Sequence, residues 1–121
     1  AIDAGAGNDT VELATNVDLT AAIDFSNLHN IEQINLTPNG DHAINNLTLS
    51  DVLNMTDSNN TLEITGDSAD AVSLSGGIYD AATNATGWKA IDDGTFTTYT
   101  STDGADSVTV KVDDTIVHTI I

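Results

Sequence analysis

The stretch Ala4-Gly5-Ala6-Gly7-Asn8-Asp9-Thr10-Val11-Glu12 decides how this chain is read. It fits the nonapeptide pattern G-G-x-G-x-D-x-U-x of calcium-binding β-rolls, U being a large apolar residue, except that Ala4 replaces the first glycine. In such a unit the glycines take positive φ and bring carbonyl oxygens towards an ion shared by successive turns. Gly5 and Gly7 are therefore assigned to the bend, Asp9 to the charged ligand and Val11 to the interior. Ala1-Ile2-Asp3 reads as the tail of a preceding unit, with Ile2 in the apolar slot. The expectation is a chain that opens inside a repeat array of a larger secreted protein. One copy supplies half a site, and Asp3 belongs to the neighbouring coil.

Composition points the same way. The 121 residues carry 19 acidic groups against two lysines (Lys89 and Lys111), giving a net charge of −17. Nothing here neutralises phosphates, so nucleic acid is excluded as a partner, and anionic membrane surfaces by the same argument. A chain this acidic repels itself when compact unless cations bind or screen it. Calcium suits carboxylate and carbonyl oxygens, and is the expected cofactor. Aromatics make up only 4%, so the core must come from Val, Ile, Leu and Ala. With no cysteine there is neither a disulfide framework nor a thiolate metal site. No apolar run approaches a membrane span, and no signal peptide is recognisable, so a secretion address is expected elsewhere in the parent.

Short apolar or alternating runs lie between Gly, Asn, Asp and Ser clusters, the spacing of an all-β fold. They are Thr10–Leu13, Val17–Leu19, Ala22–Phe25, Ile31–Leu36, Ala43–Leu49, Thr61–Ile64, Ala71–Leu74, Trp88–Ile91, Thr95–Thr100, Ser107–Val112 and Thr115–Ile120. Ser50–Met55 predicts a short helix with Ser50 as N-cap and Asp51 at its positive end. Gly76 to Gly87 reads as a long loop, and Asp113-Asp114 as a tight hairpin turn.

A weak repeat places Asp before apolar residues two and four positions later, at Asp9-Thr10-Val11-Glu12-Leu13, Asp70-Ala71-Val72-Ser73-Leu74 and Asp106-Ser107-Val108-Thr109-Val110. Gly7, Ser68 and Gly104 stand two before each Asp, and Gly5, Gly66 and Thr102 four before. Asp67 with Asp70, and Asp103 with Asp106, are accordingly candidate calcium ligands beside Gly5, Gly7 and Asp9. Asp92 with Asp93 and Asp113 with Asp114 are further acidic pairs on turns.

Catalysis finds no motif. His29, His42 and His118 lack metal-binding spacing, and no G-x-S-x-G is present. Trp88, Tyr79 and Tyr99 are the only aromatic platforms for a sugar, and Trp88 reads as a core anchor. The strand Thr95-Phe96-Thr97-Thr98-Tyr99-Thr100 puts no clean threonine array on either face, which argues against an ice-binding surface.

Three blocks follow the glycine-aspartate bend in order: Phe25-Ser26-Asn27-Leu28-His29-Asn30-Ile31-Glu32-Gln33-Ile34-Asn35-Leu36, then Leu47-Thr48-Leu49-Ser50-Asp51-Val52-Leu53-Asn54-Met55, then Asn60-Thr61-Leu62-Glu63-Ile64-Thr65-Gly66-Asp67-Ser68-Ala69-Asp70-Ala71-Val72-Ser73-Leu74. Together they resemble the C-terminal region of giant RTX adhesins, and Trp88, Asp93-Gly94 and Tyr99-Thr100 continue the likeness. The resemblance implies a module exported by type I secretion, unfolded and C-terminus first. It implies folding outside the cell, where calcium is millimolar, and a role in biofilm or surface attachment. Val112 to Ile121 would suit either a secretion signal or a last hairpin.

The expected architecture is all-β: a roll-like N-terminal edge continuing in parallel coils to about Leu74, then an antiparallel part from Trp88 onward, with a plain β-sandwich as the alternative. Residues 1–13 are read as the end of a calcium-roll array and 14–121 as one β-rich module. The expected function is non-enzymatic and structural, in an extracellular, calcium-dependent adhesin. Its expected partners are calcium, transiently the secretion machinery, and a glycan, host or biofilm surface, with no membrane insertion. Two alternatives stay open. A ligand-binding adhesin domain for glycan or peptide predicts an exposed pocket near Trp88 or Tyr79 with calcium at its rim. The other is an accessory module of a secreted polysaccharide-active enzyme.

Overall fold

The computed structural model describes residues 2–13, 19–20, 27–38 and 40–121. Within them the chain is all-β apart from one short helix. The strands form where apolar and polar residues alternate between turn residues. In order they are β1 (Ile2–Asp3), β2 (Thr10–Glu12), β3 (Leu19–Thr20), β4 (Leu28–His29), β5 (Gln33–Asn35) and β6 (Ala43–Leu47). After α1 (Leu49–Met55) come β7 (Thr61–Thr65), β8 (Ala71–Leu74), β9 (Lys89–Asp92), β10 (Phe96–Asp103), β11 (Asp106–Asp113) and β12 (Val117–Ile120). The expected run at Ala22–Phe25, and Val17 and Asp18 of the one before it, lie outside the described residues.

The helix starts earlier than expected, with Thr48 rather than Ser50 as its N-cap. Thr48 wins because Asp51 stands three residues on. The Thr48 hydroxyl accepts the Asp51 N–H at 3.1 Å, and Asp51 Oδ2 accepts the Thr48 N–H at 2.9 Å. This reciprocal pair satisfies two donors at the helix start.

From β5 to β8 successive strands alternate between two sheets. β2, β5, β7 and β11 are neighbours in a six-stranded sheet completed by β10 and β9. β3, β6, β8 and β12 make a four-stranded sheet, and β1 pairs with β4. The pairings β1–β4, β2–β5, β5–β7 and β7–β11 are parallel, as are β3–β6, β6–β8 and β8–β12. Among the described strands only β9–β10–β11 run antiparallel, so the larger sheet is mixed.

The parallel register sets like on like. Val11, Ile34, Ile64 and Val112 are consecutive partners along one inward row, with Leu62 opposite Val110 beside them. Ile34, Leu62, Ile64, Val110 and Val112 have no exposed surface. In the smaller sheet Ile44 meets Val72 and Leu47 meets Leu74, and Val52 and Met55 of α1 are also wholly buried in the same core cluster. On the other face polar side chains bridge successive strands. Thr10 Oγ1 donates to Gln33 Oε1 at 2.9 Å, and Thr65 Oγ1 to Asn35 Oδ1 at 3.2 Å.

Asp113-Asp114 does not form the hairpin that its sequence suggests. β11 and β12 lie in different sheets. A two-residue hairpin turn needs positive φ, and neither aspartate has it. Instead Asp113 Oδ1 accepts the Thr115 N–H and the Asp113 carbonyl accepts the Ile116 N–H, which makes a corner. The corner buries Ile116 and hands the Val117 N–H to the Asp70 carbonyl. The hairpin sits one strand earlier, at Gly104-Ala105, where Gly104 has φ 61°. The antiparallel part therefore ends with β11, and β12 returns to parallel pairing rather than closing an antiparallel C-terminus.

Truncating the inward row should be costly. Ile34→Ala or Ile64→Ala is expected to lower unfolding free energy by about 2–5 kcal/mol. Thr10→Ala on the outer row should lower it by less than about 1 kcal/mol. Urea unfolding of the three variants measures the contrast.

Candidate metal centre

The turn between β1 and β2 has the backbone that its glycines require: Gly5 has φ 80° and Gly7 φ 120°. Asp3 braces this turn. Its Oδ1 accepts the Gly5 N–H at 3.0 Å and the Asn30 side-chain amide at 2.7 Å, tying the turn to the β4 layer. The Asn30 hydrogen bond, then that from Gly5, holds the Asp3 carboxyl below its ordinary range.

Asp9 sits just before β2, in the alternation that sends Val11 inward. Its partner is Glu32, 23 residues on, which precedes β5 in the same alternation as buried Ile34. The Asp9 N–H donates to Glu32 Oε2 at 2.7 Å, and the Asp9 carbonyl accepts the N–H groups of Glu32 at 3.2 Å and Gln33 at 3.0 Å. Two carboxylate oxygens, Asp9 Oδ2 and Glu32 Oε1, are sequestered from solvent with no hydrogen-bond partner. Asp57, just beyond α1, is a third carboxylate beside Glu32. Burial pushes the Glu32 carboxyl above its ordinary range. A hydrogen bond shared with the Asp57 carboxyl, then the Asp57 and Asp9 charges, add to that push, while the Asp9 N–H opposes it. A cavity of about 170 Å³ lies alongside, lined by Asn8, Glu32, Gln33, Asn59, Thr61 and Glu63. These oxygen donors suit a hard divalent cation, and two of them are short of a partner.

The other expected ligands lie elsewhere. Asp70 is fully buried, and both its oxygens are engaged by backbone: Oδ1 accepts the His42 N–H at 2.9 Å and Oδ2 the Asp67 N–H at 2.8 Å. Asp67 Oδ1 in turn accepts the Ala69 N–H at 3.0 Å. Gly66 lacks the positive φ of Gly5; it is small because an added Cβ would lie 2.7 Å from Asp70 Oδ2. The second copy of the weak repeat is thus a packed corner, not a second glycine bend. Asp103 and Asp106 face each other across the end of the β10–β11 hairpin, both exposed.

Among the described residues one group of three acidic side chains converges closely enough to share an ion, Asp92, Asp93 and Asp114, with an oxygen from each within 4.8 Å of the others; Asp9, Glu32 and Asp57 do not meet that closeness as a triad. It joins both members of the Asp92–Asp93 pair to Asp114 of the Asp113–Asp114 pair, which the sequence left separate. Protein donors already serve it. Asp92 Oδ1 accepts the Gly94 N–H, Asp93 Oδ1 those of Thr95 and Phe96, and Asp114 Oδ1 the Thr97 hydroxyl at 2.6 Å. Backbone hydrogen bonds accordingly hold Asp92 and Asp93 below the ordinary range. Beside the cluster, His118 Nε2 is 3.6 Å from Asp114, and His118 Nδ1 is hydrogen-bonded to the Tyr99 hydroxyl. Burial, then the Asp114 and Asp92 charges, raises the Tyr99 hydroxyl above its ordinary range.

Sequence reasoning missed Glu32 and Asp57. The available signal was an acid standing where alternation calls for an apolar residue, directly before the Ile34 strand. Among the described residues no helix is long and apolar enough to cross a membrane. No protein-family model matches the chain, and neither a curated protein nor a solved structure matches it.

Asp70 should act as a staple and not as a ligand. Asp70→Asn sets an amide donor against a backbone donor and should cost on the order of 2 kcal/mol. The loss should be equal in chelator and in calcium, measured by thermal unfolding in both.

Proposed function

We propose that this chain is a non-enzymatic structural module of a secreted, calcium-dependent RTX adhesin. In this reading the alternating parallel strands are coils of a β-solenoid. Residues 1–13 form the last turn of a calcium roll, and 14–121 are the module stacked on it. The observation that carries the reading is the pair of sequestered, unpartnered oxygens, Asp9 Oδ2 and Glu32 Oε1, at the glycine bend. Buried carboxylates without partners oppose folding unless a proton or a cation joins them. Asp9 and Glu32, with Asp57 beside them, would hold calcium, whose charge would offset their mutual repulsion. Folding would then be linked to the ion, as suits a chain exported unfolded from a low-calcium cell into a calcium-rich medium. The net charge of −17 supports the same route. Attachment to a biofilm or host surface is the proposed biological role.

The sign of the Glu32 effect gives a test. Its carboxyl titrates higher folded than unfolded, so ionising it weakens the fold. The penalty is absent below the unfolded-state pKa and complete once pH exceeds the folded one. In chelator at neutral pH, Glu32→Gln should therefore melt higher than the unmodified protein. At about 1 mM calcium the order should reverse, because the variant has lost a ligand. Melting curves across a calcium titration decide it. An unmodified protein whose melting temperature ignores calcium would overturn the proposal.

A further inference from the structure

β9 is an edge of the larger sheet, and its outer side is only partly covered. The Asp93 N–H donates to the Phe96 carbonyl, so the odd-numbered residues of β9, Lys89 and Ile91, are the ones that bond to β10. Trp88 fits that alternation. Its N–H and carbonyl point away from β10, to the Gly77 carbonyl and the Tyr79 N–H. The loop before β9 thus closes the edge at Trp88 and then turns off through Asp80 and Asn84. Beyond it, the outward N–H and C=O groups of Ala90 and Asp92 make no hydrogen bond to the described residues. Ile91 is 72% exposed, more than any other large apolar side chain among the described residues. An open backbone edge beside an exposed isoleucine is a template for another strand.

Symmetry and charge decide which strand fits. Two copies joined edge to edge by a two-fold axis normal to the sheet run antiparallel. Each face then stays on its own side, so odd residues oppose odd and even oppose even. Setting Ala90 against the second copy's Ala90 brings Asp92 onto the second copy's Trp88, whose backbone groups are taken. Setting Asp92 against the second copy's Asp92 opposes like charges. Setting Ala90 against the second copy's Asp92 uses every outward N–H and C=O of both residues on both copies. In that register Ile91 meets the second copy's Ile91 on the axis, in the non-hydrogen-bonded position where side chains come closest. Lys89 then faces the second copy's Asp93 at each end. Lys89 is one of two cations on a chain of net charge −17, and it stands where this register asks for one.

We propose that this chain forms a two-fold dimer through β9, with Ala90 pairing to the second copy's Asp92. The strand has four residues and both copies carry −17, so the dimer is weak, with a dissociation constant of about 0.1–1 mM. The interface lies on other elements than the Asp9–Glu32 pair, and the proposal stands whether or not calcium binds there.

Amide spectra of the whole chain at about 0.02–1 mM protein in about 0.5 M NaCl test it. Saturable, concentration-dependent shifts should centre on Ala90, Ile91 and Asp92. Lowering the salt to about 0.05 M should weaken association about three- to tenfold, because less of the mutual repulsion is screened. Ile91→Asp, at an exposed position, should abolish the shifts, and Lys89→Glu should weaken association at least about threefold. Cysteine variants read the register. Residues opposed in the non-hydrogen-bonded position lie within disulfide reach, whereas Ala90 and the second copy's Ala90 lie on a diagonal of about 7–8 Å, beyond it. In glutathione buffer Ile91→Cys should therefore form a disulfide dimer at least about tenfold faster than Ala90→Cys or Val117→Cys, the last at an exposed site on β12. An unchanged spectrum of β5 and β7 shows that each variant folds. No concentration dependence up to about 1 mM, shifts centred on other strands, shifts that persist in Ile91→Asp, or equal disulfide rates in the three cysteine variants would overturn the proposal.

Discussion

Parallel stacking of like residues is the constraint on which the rest of this molecule depends. Each inward row repeats the same kind of side chain from strand to strand, as Val11, Ile34, Ile64 and Val112 do. Such a row is stable when it is apolar and exacting when it is not. At Asp9 and Glu32 the alternation directs two carboxylates to the inner side, and their closeness is imposed by the register of β2 on β5. The apolar pairing thus holds two like charges together; burial does most to raise the Glu32 carboxyl, and the Asp9 charge adds a smaller push.

The chain's many aspartates serve different ends. Asp3, Asp70, Asp92, Asp93 and Asp113 accept backbone N–H groups and fix turns and corners. They replace the disulfides that a cysteine-free chain lacks as local constraints on its loops. Asp9 and Glu32 each keep one oxygen that no protein donor reaches. That difference, and not the overall acidity, singles out the place where a cation would change the stability of the fold.

Much of the architecture was legible because it is local. Ala71–Leu74 reads as a strand from its alternation alone, and Gly5 and Gly7 read as a bend because no other residue takes positive φ so freely. What was not legible is what stacking decides. Glu32 meets Asp9 only because β5 lies beside β2, and nothing within a nonapeptide reports that. Asp70 resembled Asp9 in sequence, yet its neighbour across the stack is His42, whose backbone N–H takes one of its oxygens. Asp113-Asp114 looked like a reversal because turn residues between two strands do not say whether the next strand pairs with the last one or with β8. Thr48 displaced Ser50 as the cap through Asp51, a side-chain contact that a cap preference alone does not weigh.

The central claim is that the glycine bend and the strand beside it form a cation site between Asp9 and Glu32. Anomalous diffraction from crystals grown with terbium in place of calcium tests it most directly. The account predicts a strong anomalous peak within coordination distance of Asp9 Oδ2 and Glu32 Oε1. A well-ordered bend with no peak there, or with terbium held only at Asp92, Asp93 and Asp114, would contradict it.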